Sequence, residues 1–229
     1  MVRTQDSTSP SDLGWDGPAP IVYIVDDEET VRRSLSSLLR SAGFRVEAFA
    51  SSRAFLEFAR PDVPSCLMLD LHLDDESGLA VQEAAARAGL GLPILFMTGF
   101  GDVATSVRAM KAGALDFLTK PFNDDEMLEA VGRALALDRE RLELERGLDE
   151  DRRAYASLTP REREVMGYVI AGLMNKQIAG NLCVQEVTVK VHRAQVMKKM
   201  RVRTLPDLVR KAEALGVRPA VARGNPGTP

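Results

Sequence analysis

Apolar residues fall in short runs along the first 120 positions: IVYIV (21–25), RVEAF (45–49), CLML (66–69), PILFM (93–97) and ALDFL (114–118). Runs of this length, bounded by Gly, Pro, Asp and Ser, predict strands, and unbroken runs such as the first and third predict strands covered on both faces. Between them the spacing of apolar positions lengthens to that of helices: TVRRSLSSLLRSAG, SRAFLEFAR, GLAVQEAAARAG and DVATSVRAMKAG. Three of these close on a glycine, Gly43, Gly89 and Gly113, a helix C-cap signal. Five strands alternating with helices predict an α/β fold, a doubly wound five-stranded parallel sheet.

From Asn123 to about Arg153 the pattern is helical and increasingly charged. Leu128, Val131, Leu135 and Leu142 approach heptad spacing, but Asp138 and Glu145 interrupt the seam, so a sustained coiled coil is not expected. The sheet domain is read as residues 20–137 and a helical linker as 138–155, with Gly147 its weak point. An all-α domain follows over 156–217. Thr159, Pro160 and Glu162 supply an N-cap, a first-turn proline and a capping box. Further helices are predicted over about 175–181, 187–200 and 205–216. The Ser/Pro/Gly/Asp-rich head, 1–19, and the Pro/Gly-rich tail, 218–229, are expected to be disordered.

Composition sharpens this division. The net charge of −3 conceals −11 over residues 1–153, with 17 Lys+Arg against 28 Asp+Glu, and +8 over 154–229, with 13 against 5. A compact basic module points to nucleic acid, and its acidic neighbour to some other partner. The longest apolar runs, such as VMGYVIAGLM, fall far short of a membrane span, and the first residues lack a secretory pattern. A cytoplasmic protein with no membrane partner is the expectation. Cys66 and Cys183 lie in apolar surroundings without metal-ligand spacing and are read as small core residues.

The candidate chemistry sits at strand ends. Asp26 and Asp27 follow the first strand and Asp70 ends the third, and parallel strands finish on one side of a sheet, so three carboxylates converge. The fourth strand delivers Thr98 to that edge and the fifth delivers Lys120. Clustered carboxylates repel one another, and a divalent cation relieves the repulsion; oxygen donors suit Mg²⁺. A metal, a nucleophilic carboxylate, a hydroxyl and a lysine are the parts of a phosphoryl-transfer site.

VDD (25–27), Asp70 with Gly78 eight positions on, TG (98–99) and DFLTKPF (116–122) together resemble the receiver domains of two-component response regulators, whose fold is flavodoxin-like. The resemblance implies that Asp70 accepts phosphate and that Asp27 binds Mg²⁺ directly and Asp26 largely through water. Asp70 and the backbone carbonyl of His72 complete the metal set. Thr98 and Lys120 would contact phosphoryl oxygens, Phe117 would be the aromatic switch, and the Lys120–Pro121 peptide would be cis. Asp74 and Glu76 depart from the usual Pro and apolar residue of this loop.

In the basic module, residues 158–200 read as helix, short helix, turn, helix, the layout of a helix-turn-helix. On its last long helix Val189, Val196 and Met200 share a core face, while Lys190, Val191, Ala194 and Lys198 share the other. That second face suits a major groove, where thymine methyls and base edges alternate with phosphates. The stretch resembles the LuxR-type DNA-binding domain, and the two domains together resemble FixJ/NarL-type response regulators. The resemblance implies base contacts from Lys190, Val191 and Ala194, and phosphate contacts from Asn175, Lys176, Arg193, Lys198 and Lys199. Gln185 stands where the family usually has a Ser or Thr N-cap, a loss of about 1 kcal/mol partly offset by Glu186.

The implied function is a phosphorylation-dependent transcriptional regulator, not an enzyme. Its implied partners are a sensor histidine kinase, double-stranded promoter DNA, RNA polymerase and, when phosphorylated, a second copy of the chain. Two alternatives stand beside it. One is a receiver-regulated protein-interaction module, which the +8 charge disfavours. The other is an aspartyl-phosphate phosphohydrolase, which expects a second Asp where this chain has His72.

Overall fold

The structure, a computed structural model, describes residues 18–74, 76–99 and 103–221. Most of the expected disordered head and tail, residues 1–17 and 222–229, therefore lies outside the described residues. The chain divides into two compact units, Met1–Glu143 and Leu144–Pro229.

In the first unit, strands β1 (Ile21–Val25), β2 (Arg45–Phe49), β3 (Ser65–Asp70), β4 (Ile94–Thr98) and β5 (Asp116–Thr119) form one sheet of order β2-β1-β3-β4-β5. Every pairing is parallel. Helices α1 (Glu29–Ser41), α2 (Ser52–Glu57), α3 (Gly78–Arg87), α4 (Val103–Lys111) and the part of α5 (Asp124–Ala156) up to Glu143 complete it. Because side chains alternate along a strand, the unbroken apolar runs serve two cores at once. Val22, Ile24, Cys66, Met68, Leu95 and Met97 pack with Leu35 and Leu39 of α1 and Val131 and Leu135 of α5. Ile21, Tyr23, Val25, Leu67, Leu69 and Phe96 pack on the other face with Phe55 of α2, Val81 of α3 and Ala109 of α4.

Three boundaries differ from the sequence reading. The fifth strand begins at Asp116, because Gly113 takes a left-handed φ of 94° and Ala114 closes back on the Ala109 carbonyl. Helix α2 stops at Glu57, where Phe58 turns extended; the Arg60 guanidinium then returns over the Phe55 ring, 4.3 Å from its centroid. The third difference concerns α5, which runs unbroken through Gly147. Of its near-heptad positions, Val131 and Leu135 join the core on the α1 side of the sheet and Leu142 is buried. Asp138, the charge that interrupts the seam, is fully buried too. It accepts 2.8 Å bonds from the Ser65 backbone N–H at the start of β3 and from Arg141 Nε. The packing of the first unit thus carries past residue 137, to Glu143.

The second unit holds α6 (Pro160–Ile170), α7 (Asn175–Leu182), α8 (Glu186–Lys199) and α9 (Leu205–Ala214). Its core is Leu158, Val165, Met166, Val169, Ile178, Val189, Val196, Met200 and Leu208. The capping box is present: the Glu162 N–H donates to Thr159 Oγ1, and the Thr159 N–H donates to Glu162 Oε2 at 2.8 Å. Gln185 makes no side-chain cap, as its substitution for Ser or Thr predicts. Cys66 is buried, but Cys183 is exposed, which corrects its reading as a core residue. Cys183 ends α7 in the left-handed region, φ 53°, and the adjacent Val184 supplies the apolar contact instead.

Candidate functional site

Asp26, Asp27 and Asp70 meet at the carboxyl edge of the sheet, with one ligand oxygen from each lying within 4.8 Å of the others. Asp26 is wholly buried, Asp70 nearly so and Asp27 half-buried. The turn that carries the first two is pinned. Asp26 Oδ1 accepts from the Glu28 N–H at 2.9 Å, and Arg32 Nη1 donates to the carbonyls of Asp26 and Asp27, both at 2.7 Å. Arg32 is a supporting residue that the strand pattern alone did not single out. Its one signal is a cation within the first turns of the helix that follows the acid pair.

Lys120 Nζ bridges the buried carboxylates, 2.9 Å from Asp26 Oδ2 and 3.0 Å from Asp70 Oδ1. Its position is set by backbone: the Lys120 N–H donates to the Thr98 carbonyl at 2.7 Å, so the ends of β4 and β5 arrive together. The Lys120–Pro121 peptide is cis, as the resemblance implied. One ammonium among three carboxylates leaves negative charge in excess. Burial pushes the Asp70 carboxyl above its ordinary value, the Lys120 hydrogen bond and charge pull it back, and the charges of Asp26 and Asp27 raise it again; the net is upward. Burial works to lower the Lys120 ammonium, but its bonds to Asp26 and Asp70 prevail and hold it above its ordinary range. A buried, oxygen-only donor set with unneutralised charge fits a hard divalent cation.

The neighbouring side chains border this cluster. Thr98 is buried and its hydroxyl donates to the Gly99 carbonyl at 3.2 Å. Phe117 is half-buried and stacks on Phe96, ring centroids 5.3 Å apart and planes 16° from parallel. Phe96 is a second residue that the sequence pattern placed only within a strand. His72 is exposed in the loop after β3 and pairs with Ser77 in an antiparallel bridge, while the Gly78 N–H donates to the Leu71 carbonyl at 2.9 Å. Here the glycine is a steric requirement, since a Cβ on residue 78 would lie 2.5 Å from the Asp70 carbonyl oxygen and 2.9 Å from Phe96. The acidic departures in this loop are accommodated in part: Glu76 accepts a hydrogen bond from Ser52 Oγ at the start of α2.

In the second unit, Lys190, Val191, Ala194 and Lys198 are exposed on α8, opposite the buried Val189, Val196 and Met200. Lys190 pairs loosely with Glu186 one turn earlier, at 3.3 Å. Lys176 is exposed at the start of α7, and Asn175 Oδ1 accepts from Arg193 Nη1 at 3.3 Å, linking α7 to α8. Lys199 stands apart from these. Its Nζ lies 2.6 Å from Glu162 Oε2 and 3.2 Å from the Ser157 carbonyl, so its charge closes the capping box of α6. The Lys199 bond and the Thr159 backbone bond hold the Glu162 carboxyl below its usual range.

Both units have counterparts among known proteins. Residues 22–132 match the response regulator receiver domain family, and residues 156–212 match the luxR family of bacterial regulatory proteins. Nodulation protein W of Bradyrhizobium diazoefficiens is 50% identical over 197 residues, 86% of this chain and 87% of its own. Transcriptional regulatory protein FixJ of Rhizobium meliloti is 45% identical over 203 residues, 87% of this chain and 98% of its own. The solved structure of response regulator StyR is 46% identical, covers 86% of this chain and 99% of its own, and has a TM-score of 0.78. FixJ and StyR are named as regulators, in keeping with the reading of a regulator and not an enzyme. Among the described residues no helix is long and apolar enough to cross a membrane. With both family matches in chain order and relatives similar along most of their length, the chain belongs to the response regulators that join a receiver domain to a LuxR-family DNA-binding domain.

Proposed function

We propose that Asp70 is the phosphoacceptor of a cytoplasmic two-component pathway and that its modification controls promoter binding by α8. The observation that carries this reading is the buried triad of Asp26, Asp27 and Asp70 with the Lys120 ammonium bonded to two of its members. In the transfer, a carboxylate oxygen of Asp70 forms a bond to phosphorus as the bond from phosphorus to the imidazole nitrogen of a sensor kinase breaks. Lys120 neutralises charge that develops on the phosphoryl oxygens, and the Thr98 hydroxyl exchanges its Gly99 carbonyl partner for one of them. Asp26, Asp27, Asp70 and the His72 carbonyl are the groups that would hold Mg²⁺, which supplies further charge neutralisation when bound.

The downstream steps rest on the same reading. Recruitment of Thr98 frees space into which Phe117 moves from its stack on Phe96. The phosphorylated receivers then pair through the α4–β5 side, where Val107 and Met110 are half-exposed and Arg108 and Lys111 exposed. Lys190, Val191 and Ala194 read bases while Lys176, Arg193, Asn175 and Lys198 hold phosphates, and the bound dimer recruits RNA polymerase. Incubation with acetyl phosphate and Mg²⁺ tests the first step. One acid-stable, base-labile phosphate should appear by mass spectrometry, and it should vanish in Asp70→Asn or on chelation. Undiminished labelling of that variant overturns the assignment.

A further inference from the structure

The outward face of α8 carries an apolar centre line that its base-reading lysine does not explain. Val187 is 59% exposed and Val191 55%, the two exposed large aliphatic side chains of α8, whose Val189 and Val196 are buried in the core of this unit. At 100° per residue, Val187, Val191, Ala194 and Lys198 fall within about 60° of one another around the helix, and Lys190 lies on their flank. The stripe thus begins in the first turn of α8, one residue after Glu186, and ends on a lysine. Lys190 and then Arg193 lie to one side of it on the same helix. An apolar line ending on one lysine and flanked by another suits the major groove of A·T-rich DNA, where thymine methyls lie beside base edges and phosphates.

We infer that Val187 is a base-reading residue and that Val187, Val191 and Ala194 together select half-sites carrying several thymines. The inference rests on the DNA-binding reading of α8 and adds to it a residue and a class of target. Val187 is placed for the role, because the N-terminal residues of a recognition helix are those that reach base edges. The spacing also fixes how far the thymines extend. With a rise of about 1.5 Å per residue, Val187 and Val191 are about 6 Å apart along the axis and Val187 and Ala194 about 10.5 Å. Against a base-pair step of about 3.4 Å, the methyl-sensitive positions must fall within about four base pairs. Valine offers no donor or acceptor, so the discrimination is for the methyl group and not for a hydrogen-bond pattern.

The test uses the full chain, treated with acetyl phosphate and Mg²⁺, to select duplexes from a randomised pool. Each thymine of the recovered half-site is then replaced singly by deoxyuridine, which removes the methyl and leaves every hydrogen-bonding group in place. The wild-type chain should lose about fourfold in affinity at a minimum of two positions within four base pairs. Val187→Ala should bind the unsubstituted site about fourfold more weakly and become indifferent to uracil at one of those positions, while staying sensitive at the other. Val187→Ser, unable to make the apolar contact, should behave as Val187→Ala does. Variants that bind as the wild type does, with the same uracil sensitivities, overturn the inference and leave the DNA-binding reading intact. Recovery of no duplex at any salt concentration overturns both.

Discussion

Asp70 is held at a cost that its chemistry requires. Its raised carboxyl means that the folded chain binds a proton more tightly than the unfolded chain between the ordinary value of 3.8 and the folded value. Stability is therefore lost as pH rises through that interval, and above it the whole penalty is present. Asp70→Asn should accordingly melt at a higher temperature than wild type above that interval, a gain that shrinks as pH falls through the folded value and disappears below 3.8; calorimetry across pH checks it. Mg²⁺ at a hundredfold excess over its dissociation constant should stabilise the wild type by about 2.7 kcal/mol, and Asp70→Asn by less. Gly78→Ala should cost about 1–3 kcal/mol in a urea titration, because the added Cβ meets the backbone oxygen of Asp70, which cannot step aside. Asp26, Asp27, Asp70, Thr98 and Lys120 were legible in the sequence, because each sits at the end of an apolar run and parallel strands share an edge. Arg32 and Phe96 were not, since a guanidinium reaching two carbonyls and a ring lying beneath Phe117 depend on how separate elements meet.

Among the elements, α5 and α8 show where pattern and packing part company. A charge inside a seam of leucines reads as the end of a core, yet Asp138 is buried because it satisfies the Ser65 N–H and Arg141. Asp138→Ala leaves a buried backbone donor without its acceptor and should cost about 2–3 kcal/mol, measured by urea unfolding of the full chain. On α8 two adjacent lysines, equivalent in the sequence, have different work. Lys199→Ala removes the bridge to Glu162 and should cost about 1 kcal/mol. Glu162 has a lowered carboxyl, so the stability it contributes is present above its ordinary value of 4.5 and lost as pH falls through the folded value; the variant should keep only the part of that acid dependence that the Thr159 bonds supply. Lys198→Ala should leave the melting temperature unchanged and reduce the slope of log affinity against log salt by about 0.9, the effect of one phosphate contact. The helical period puts Lys198 on the outward face and Lys199 about 100° round from it, and the arrival of α6 at the end of α8 gives Lys199 its partner.

At the scale of the whole molecule, the opposite charges of the two halves already separated an acidic unit with a carboxylate cluster at its sheet edge from a basic unit suited to DNA. What charge could not express is the coupling between them, which is a difference in free energy between states and belongs to no single contact. Transfer of a phosphoryl group to Asp70 must favour one receiver conformation over another, and DNA must prefer the chain in that same conformation. Couplings of this kind amount to 1–3 kcal/mol, or about 5- to 150-fold in affinity. The most direct measurement is a titration of a selected duplex with the full chain at fixed salt, with and without acetyl phosphate in the presence of Mg²⁺, in parallel with Asp70→Asn. Wild-type affinity should rise at least about fivefold on phosphorylation, with no response from the variant or from the wild type after chelation. Equal affinity before and after stoichiometric phosphorylation of Asp70, or an equal response from Asp70→Asn, would contradict the claim that this carboxylate controls the DNA-binding domain.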